Sequence, residues 1–109
     1  MKRAASIALV LVLAVLSTSV AAPRKVTHSV TIDNLKFQPG DLQITVGDSV
    51  EWTNNDDRDH TVVAKDGSFQ SGNLGNGAVY KYTFKKTGKF TYGCSLHPRM
   101  KGTITVAGE

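Results

Sequence analysis

Near its C-terminal end the chain carries three metal-donor side chains at intervals of three residues. They are the thiolate of Cys94, the imidazole of His97 and the thioether of Met100. A second imidazole, that of His60, follows a charged loop at positions 54–59. Thiolate and thioether favour copper(I), imidazole suits both oxidation states of copper, and two His with one Cys and a weak axial Met can hold one copper ion. The predicted cofactor is therefore one copper ion, and its predicted ligands are His60, Cys94, His97 and Met100.

The lone cysteine has simpler explanations when it is taken by itself. Free cysteines are usually buried and inert, so Cys94 could be a core thiol. It could also be a nucleophile with a histidine as its base, although that role needs exposure and a substrate cleft. Zinc shares some of these donors, but a thioether is a poor zinc ligand and structural zinc sites contain more cysteine. The four donors together favour copper.

From Val26 onward, apolar and polar residues alternate in short stretches separated by Gly, Asn and Asp, which is the period of half-buried strands. Shared faces are expected for Val26, His28, Val30 and Ile32 and for Leu42, Ile44 and Val46, and Val50 and Trp52 are expected to define the inward face of the next strand. A short strand is predicted over 60–64. The segments 78–84 and 89–94 flank Lys86-Thr87-Gly88 and are predicted to form a hairpin.

Seven to eight short antiparallel strands predict an all-β, Greek-key β-sandwich. On the strand that begins near Lys89, Phe90 and Tyr92 share one face with Cys94, so the thiol would point inward at the end of its strand. The loop from Cys94 to Met100 would span about 20 Å if extended. It must therefore curl around the metal, and Pro98 favours such a turn.

The N-terminal segment has the pattern of an export signal. Lys2 and Arg3 precede an uncharged, mostly apolar run over 4–16, and small residues follow at Ser19 and Ala21. We predict a signal peptide over residues 1–21, a single domain over residues 22–109 and a periplasmic location. A retained membrane anchor is the alternative, because the run is close to the roughly 20 residues needed to span a bilayer.

Composition argues against a nucleic-acid partner. The chain has 13 basic and 9 acidic residues and a net charge of +4, of which Lys2 and Arg3 would leave with the leader. No series of base-stacking aromatic residues accompanies the lysines. Lys81, Lys85, Lys86 and Lys89 are expected to be a solvated outer face, or else to steer an acidic redox partner.

The loop C-x-x-H-x-x-M resembles that of amicyanin and its plastocyanin and pseudoazurin relatives, which are blue-copper proteins of the cupredoxin family. Further similarities are Phe37-x-Pro39, then Ile44-x-Val46 followed by Val50-x-Trp52-x-Asn54, and Tyr92-x-Cys94. They cover nearly the whole predicted domain. The resemblance implies a single type 1 copper ion that alternates between Cu(II) and Cu(I), with His97 as the port for electrons.

One position departs from the family pattern. Several relatives have Asn or Ser directly after the first histidine ligand, where hydrogen bonds tie the two ligand loops together, and this chain has Thr61. A hydroxyl is expected to make similar bonds, so the departure affects the redox potential more than the ligation.

The expected function is that of an electron carrier rather than an enzyme. A redox donor and a redox acceptor would dock transiently near His97, on an apolar patch for which the family suggests Pro39, Leu74, Leu96 and Pro98. We expect a monomer with no stable membrane association. The alternative is a copper-storage or delivery protein, although the chain contains only 2 Met and 3 His.

Overall fold

The computed structural model describes residues 8–15 and 24–109 of the chain. Within these residues it has eight β-strands and no helix. The strands are β1 (Thr27–Asp33), β2 (Lys36–Gln38), β3 (Asp41–Thr45), β4 (Ser49–Asn54), β5 (Val63–Ala64), β6 (Val79–Thr83), β7 (Gly88–Gly93) and β8 (Lys101–Ala107).

The strands form two four-stranded sheets, with the order β2-β1-β4-β6 in the first sheet and β3-β8-β7-β5 in the second. This arrangement confirms the predicted all-β sandwich. The expectation of uniformly antiparallel strands is wrong, because β1 pairs with β4 in parallel and β3 pairs with β8 in parallel. Parallel pairs arise here because the chain crosses between sheets instead of turning back beside the preceding strand.

The predicted hairpin of residues 78–84 and 89–94 is also wrong. β6 is an edge strand of the first sheet, whereas β7 lies between β5 and β8 in the second. The connection between them crosses the sandwich, and the ring of Phe84 packs between those of Tyr82 and Phe90, with centroid distances of 4.9 and 5.4 Å. Burial of these rings favours the crossing over a hairpin.

The core lies between the sheets and contains the inward residues that the alternation predicted on β4. Val50 and Trp52 are fully buried. The ring of Tyr92 contacts Trp52 edge-on at a centroid distance of 5.4 Å. Tyr92 also covers Gly102 on β8, where a Cβ atom would overlap the tyrosine ring. Position 102 therefore has no room for a side chain while Tyr92 is in place.

Two strand predictions need correction in their extent. The strand expected over 60–64 is reduced to Val63–Ala64, and His60 contributes only an isolated bridge to Leu74. Val26 precedes β1 and is 46% exposed, so it is not part of the inward face. The amide of Val26 instead donates a hydrogen bond to the side chain of Asp48.

The sandwich has two distinct ends. β4 finishes and β8 begins at the end that holds His60 and Cys94, which we call the ligand end. At the other end, which we call the distal end, Thr27 at the start of β1 lies opposite Ser49, and Thr45 lies opposite Ala107 at the finish of β8. The domain therefore begins and finishes away from the predicted ligands.

The predicted signal peptide lies mostly outside the described residues, which omit 1–7 and 16–23. Residues 8–15 form neither a helix nor a strand, and their apolar side chains are exposed. Helices able to span a membrane are not found in residues 8–15 or 24–109.

Candidate metal centre

Hydrogen bonds of a buried asparagine shape the loop that precedes His60. The side-chain amide of Asn54 donates to the carbonyls of Arg58 and Leu74 at 2.9 and 2.8 Å. Its carbonyl oxygen accepts a bond from the amide of Asp56 at 2.9 Å. The main chain of His60 exchanges two hydrogen bonds with that of Leu74. These contacts fix the backbone on which the imidazole of His60 is carried.

The side chain of Asp56 orients the ring of His60. Its Oδ2 lies 2.9 Å from Nε2 of His60 and also accepts a bond from the amide of Leu35 at 3.1 Å. These hydrogen bonds hold the pKa of Asp56 well below its usual range, and the bond to the His60 ring contributes most. An ionised carboxylate only accepts hydrogen bonds, so Nε2 of His60 donates to Asp56. Nδ1 is then the ring nitrogen that faces the sulfur of Cys94 and is available to a metal.

The second loop, from Cys94 to Met100, curls back on itself as its length requires. The amide of Cys94 donates to the carbonyl of Met100 at 3.4 Å, and the amide of Met100 donates to the carbonyl of His97 at 3.0 Å. A Cβ at Gly93 would lie 2.9 Å from the Met100 carbonyl oxygen, so a glycine allows the two arms to approach.

Three of the predicted ligands come together at the ligand end. The Sγ of Cys94 lies 3.8 Å from Nδ1 of His60 and 3.7 Å from Nδ1 of His97. One donor atom from each of the three residues lies within 4.8 Å of the others. His60 and Cys94 are buried, His97 is half-buried, and Met100 is buried in the same loop. The predicted inward direction of Cys94 is confirmed.

The thiol of Cys94 is prepared for ionisation. Burial raises its pKa, but the opposing hydrogen bonds from the Thr61 amide, the rings of His60 and His97 and the Leu96 amide lower the pKa to about 6. A substantial fraction is therefore thiolate at neutral pH, and the thiolate is the form that binds metals.

Thr61 ties the two ligand loops together, as its hydroxyl was expected to do. Its amide donates to Sγ of Cys94 at 3.3 Å. Its hydroxyl lies 2.8 Å from the Ser95 hydroxyl and accepts a bond from the Ser95 amide at 2.8 Å. Threonine thus supplies inter-loop bonds at this position without the amide or serine found in several relatives.

The surface beside His97 is apolar, but its membership differs from the expected patch. A depression of about 470 Å³ is lined by Leu35, Leu96, His97, Pro98, Arg99 and Met100. Leu74 is buried, so its assignment to the exposed patch is wrong. Leu35 reaches the ligand end because the β1–β2 turn has positive φ angles at Asn34 and Leu35.

Sequence reasoning missed the role of Asp56. In the charged loop that precedes His60, residues 57–59 are exposed, but Asp56 is buried. A carboxylate four residues before a predicted ligand histidine was an available signal. His28, which was not predicted as a ligand, bonds Asp48 at the distal end.

The donor set fits a copper ion. A thiol with a lowered pKa and two imidazoles whose Nδ1 atoms face its sulfur are donors that copper prefers. The candidate ligands are His60, Cys94, His97 and Met100. The expected cofactor, one copper ion, is consistent with this chemistry.

The chain is also similar in sequence to proteins of a known family. Residues 6–106 match the family model of the cupredoxin-like domain. Amicyanin of Paracoccus denitrificans is 32% identical over 87 residues, which cover 71% of this chain and 63% of that protein. The chain thus spans a little under two thirds of this relative.

Solved structures are also similar. A purple cupredoxin from Nitrosopumilus maritimus has a TM-score of 0.69 and 30% identity, over 73% of this chain and 99% of that chain. The Cu(I) form of an amicyanin variant has a TM-score of 0.69 and 29% identity, over 74% of this chain and 82% of that chain. The chain belongs to the cupredoxin-like family.

Proposed function

We propose that this protein is an exported electron carrier whose copper ligands are His60, Cys94, His97 and Met100. The observation that carries the proposal is the meeting of two Nδ1 atoms and one sulfur, from His60, His97 and Cys94, within 4.8 Å. When bound, copper supplies a one-electron couple between Cu(II) and Cu(I). No substrate bond is made or broken in this function.

The protein's part is to hold the donors in one arrangement for both oxidation states. Asp56 fixes the ring of His60, and the Thr61 amide fixes the sulfur of Cys94. The bond between Thr61 and Ser95 keeps the two loops in register. Because these bonds do not involve the metal, the ligands are positioned before it binds, and little rearrangement accompanies a change of charge.

Redox partners would dock on the apolar depression around His97. His97 is half-buried there, between the more exposed side chains of Leu96 and Pro98. Transient redox contacts bury little surface, so a small patch is sufficient. A donor and an acceptor would use this patch in turn, which requires a monomer that is free to diffuse.

The proposed cellular setting is the periplasm. Residues 1–21 would serve as a signal peptide, and residues 22–109 would form the mature domain. Mass spectrometry of the protein recovered from an expressing bacterial periplasm tests both boundaries. A mature chain that begins at residue 22 is expected, and a full-length chain in the membrane fraction would contradict it.

The function is tested by the optical and EPR spectra of the copper(II) protein and of the Cys94→Ser variant. An intense blue absorption with a narrow copper hyperfine splitting is expected, and both should be lost in the variant. Ser29→Ala is the matched control, because its exposed side chain lies on β1, away from the candidate ligands. Reversible one-electron reduction without copper release should accompany the spectrum. A pale spectrum, or loss of copper on reduction, would favour storage or delivery.

A further inference from the structure

The outer face of the second sheet carries three exposed lysines that the metal centre does not use. Lys89 is on β7, Lys101 begins β8, and Lys65 directly follows β5. These three strands are neighbours, in the order β8-β7-β5. The amide of Lys65 donates to the carbonyl of Thr91 at 2.9 Å, which anchors that lysine beside β7. We call Lys65, Lys89 and Lys101 the lysine face.

The lysine face reaches the ligand end without a break. Lys65 and Lys89 line one depression of about 220 Å³. Lys65 and Lys101 line a second depression, of about 210 Å³, whose walls include Cys94 and Met100. A partner that covers these depressions would therefore lie against the flank of the metal centre.

The lysine face keeps a surplus of positive charge, because its three lysines share their depressions with two acidic residues in the described part of the chain. Ion pairs shorter than 4.0 Å among residues 8–15 and 24–109 involve only His28 and His60. Asp41 and Asp66 are the acidic residues that share depressions with the lysine face. Beyond it, Lys85 and Lys86 add positive charge in the β6–β7 connection, and Arg99 adds positive charge in the ligand loop.

The outer face of the first sheet is different. Each lysine there has an acidic residue directly opposite on the neighbouring strand, with Glu51 facing Lys81 and Asp33 facing Lys36. Cross-strand pairs of opposite charge cancel each other's field at a distance. The unbalanced positive field is thus on the second sheet. The expected cluster of Lys81 with Lys89 is divided between the two sheets.

We propose that the lysine face docks an acidic redox protein and guides it onto the metal centre. This inference rests on the electron-carrier function proposed above. The surface between the lysines is a polar strand surface with exposed Thr91 and Thr105 and half-exposed Thr103. Such a surface suits a carboxylate-bearing protein.

The direct test uses hexacyanochromate(III), a paramagnetic anion that does not exchange electrons with the site. We expect it to broaden the amide NMR signals of Lys65, Lys89, Thr91 and Lys101 in the copper(I) protein at low salt. The variant K65Q/K89Q/K101Q should lose this broadening. The matched control K36Q/K81Q removes lysines from the other sheet and should keep it. Equal broadening in the two variants, or broadening centred elsewhere, would overturn the inference.

Kinetics separate this inference from the proposed function. One electron passes from the copper(I) protein to hexacyanoferrate(III), or to tris(phenanthroline)cobalt(III) as a cationic oxidant. The triple variant should react more slowly with the anion, by about threefold or more at low salt, and no more slowly with the cation. If the native protein and the triple variant react with hexacyanoferrate(III) at equal rates, the inferred role of the lysine face is wrong and the electron-carrier function is unaffected. If neither oxidant takes an electron from the copper(I) protein, the proposed electron-carrier function is overturned.

The class of partner is tested with two acidic surfaces. Poly-L-glutamate should compete with hexacyanoferrate(III) in the native protein and not in the triple variant. Sedimentation with phosphatidylglycerol vesicles should leave the protein in the supernatant at 0.1 M salt. Lysine-dependent sedimentation would overturn the assignment to a protein partner in favour of a membrane surface.

Discussion

The two ends of the sandwich each contain a histidine bonded to a buried aspartate. At the ligand end, Nε2 of His60 lies 2.9 Å from Asp56, and at the distal end Nε2 of His28 lies 2.9 Å from Asp48. The two pairs have the same contact but different surroundings. The side chain of His60 is fully buried and its Nδ1 faces the sulfur of Cys94, whereas that of His28 is 24% exposed.

The difference lies in what each aspartate holds besides its histidine. Asp48 also accepts bonds from the amides of Val26 and Thr45, so it joins the start of β1 to the β3–β4 turn. Asp56 accepts bonds from the amide of Leu35 and from the ring of the candidate ligand His60. The distal pair therefore stabilises the fold, and the ligand-end pair prepares a donor atom.

Removing the ligand-end carboxylate should have the largest effect. Asp56→Asn is expected to weaken copper binding by about 10–100-fold, because the hydrogen-bond partner of a ligand histidine fixes its ring and raises its basicity. Competition with a copper chelator measures the change. Asp48→Asn is the matched control and should bind copper as the native protein does. Similar losses in the two variants would remove the distinction between the pairs.

Removing the distal carboxylate should lower the stability of the fold and leave copper binding unchanged. Asp48→Ala is expected to lower the free energy of unfolding by about 2 kcal/mol, because three donors lose a charged acceptor. Denaturant unfolding followed by Trp52 fluorescence measures it. The blue absorption of the copper protein should stay unchanged. A weakened spectrum would show that the distal pair also supports the metal centre.

The distal pair should also make the free energy of unfolding depend on pH. Hydrogen bonds lower the pKa of Asp48 from its ordinary value of 3.8, and the bond to the His28 ring contributes most. Its stabilising contribution is therefore complete above that value and is lost as the pH falls through the lower folded pKa. The difference in unfolding midpoint between the native protein and Asp48→Asn should shrink below about pH 4. A constant difference down to pH 2 would contradict this.

The smallest expected effect concerns the exposed partner of Asp48. His28→Gln should lower the free energy of unfolding by about 1 kcal/mol or less, since a partly exposed bond is replaced easily by water. Thermal unfolding of the apo form measures it. A loss as large as that of Asp48→Ala would mean that the ring, and not the backbone amides, carries the contribution of the distal pair.

The sequence predicted the sandwich and the donors because both depend on local patterns. Alternation placed Val50 and Trp52 in the core, and the spacing of Cys94, His97 and Met100 placed three donors on one short loop. These local patterns could not predict which strands would pair. Connections such as 84–87 are compatible with a hairpin or with a crossing between sheets, and the packing of the Phe84 ring against Tyr82 and Phe90 decides between them.

The missed part of the candidate site is also non-local. Asp56 sits among other charged residues, and nothing in its own segment shows that the β1–β2 turn will cover it. Its burial depends on Leu35, which is 21 positions away and donates its amide to the carboxylate. The ligand role of Met100 remains a prediction, supported by its burial in the loop that holds Cys94.

The position of the start of β1 and the finish of β8 has a practical consequence. β1 begins and β8 finishes at the distal end, where the amide of Val46 bonds the carbonyl of Ala107. A linker attached beyond Glu109 would therefore leave from the side opposite to His97. On a gold electrode such a tether would orient every molecule with His97 towards solution. A soluble redox partner could then be assayed against the immobilised protein by its catalytic current.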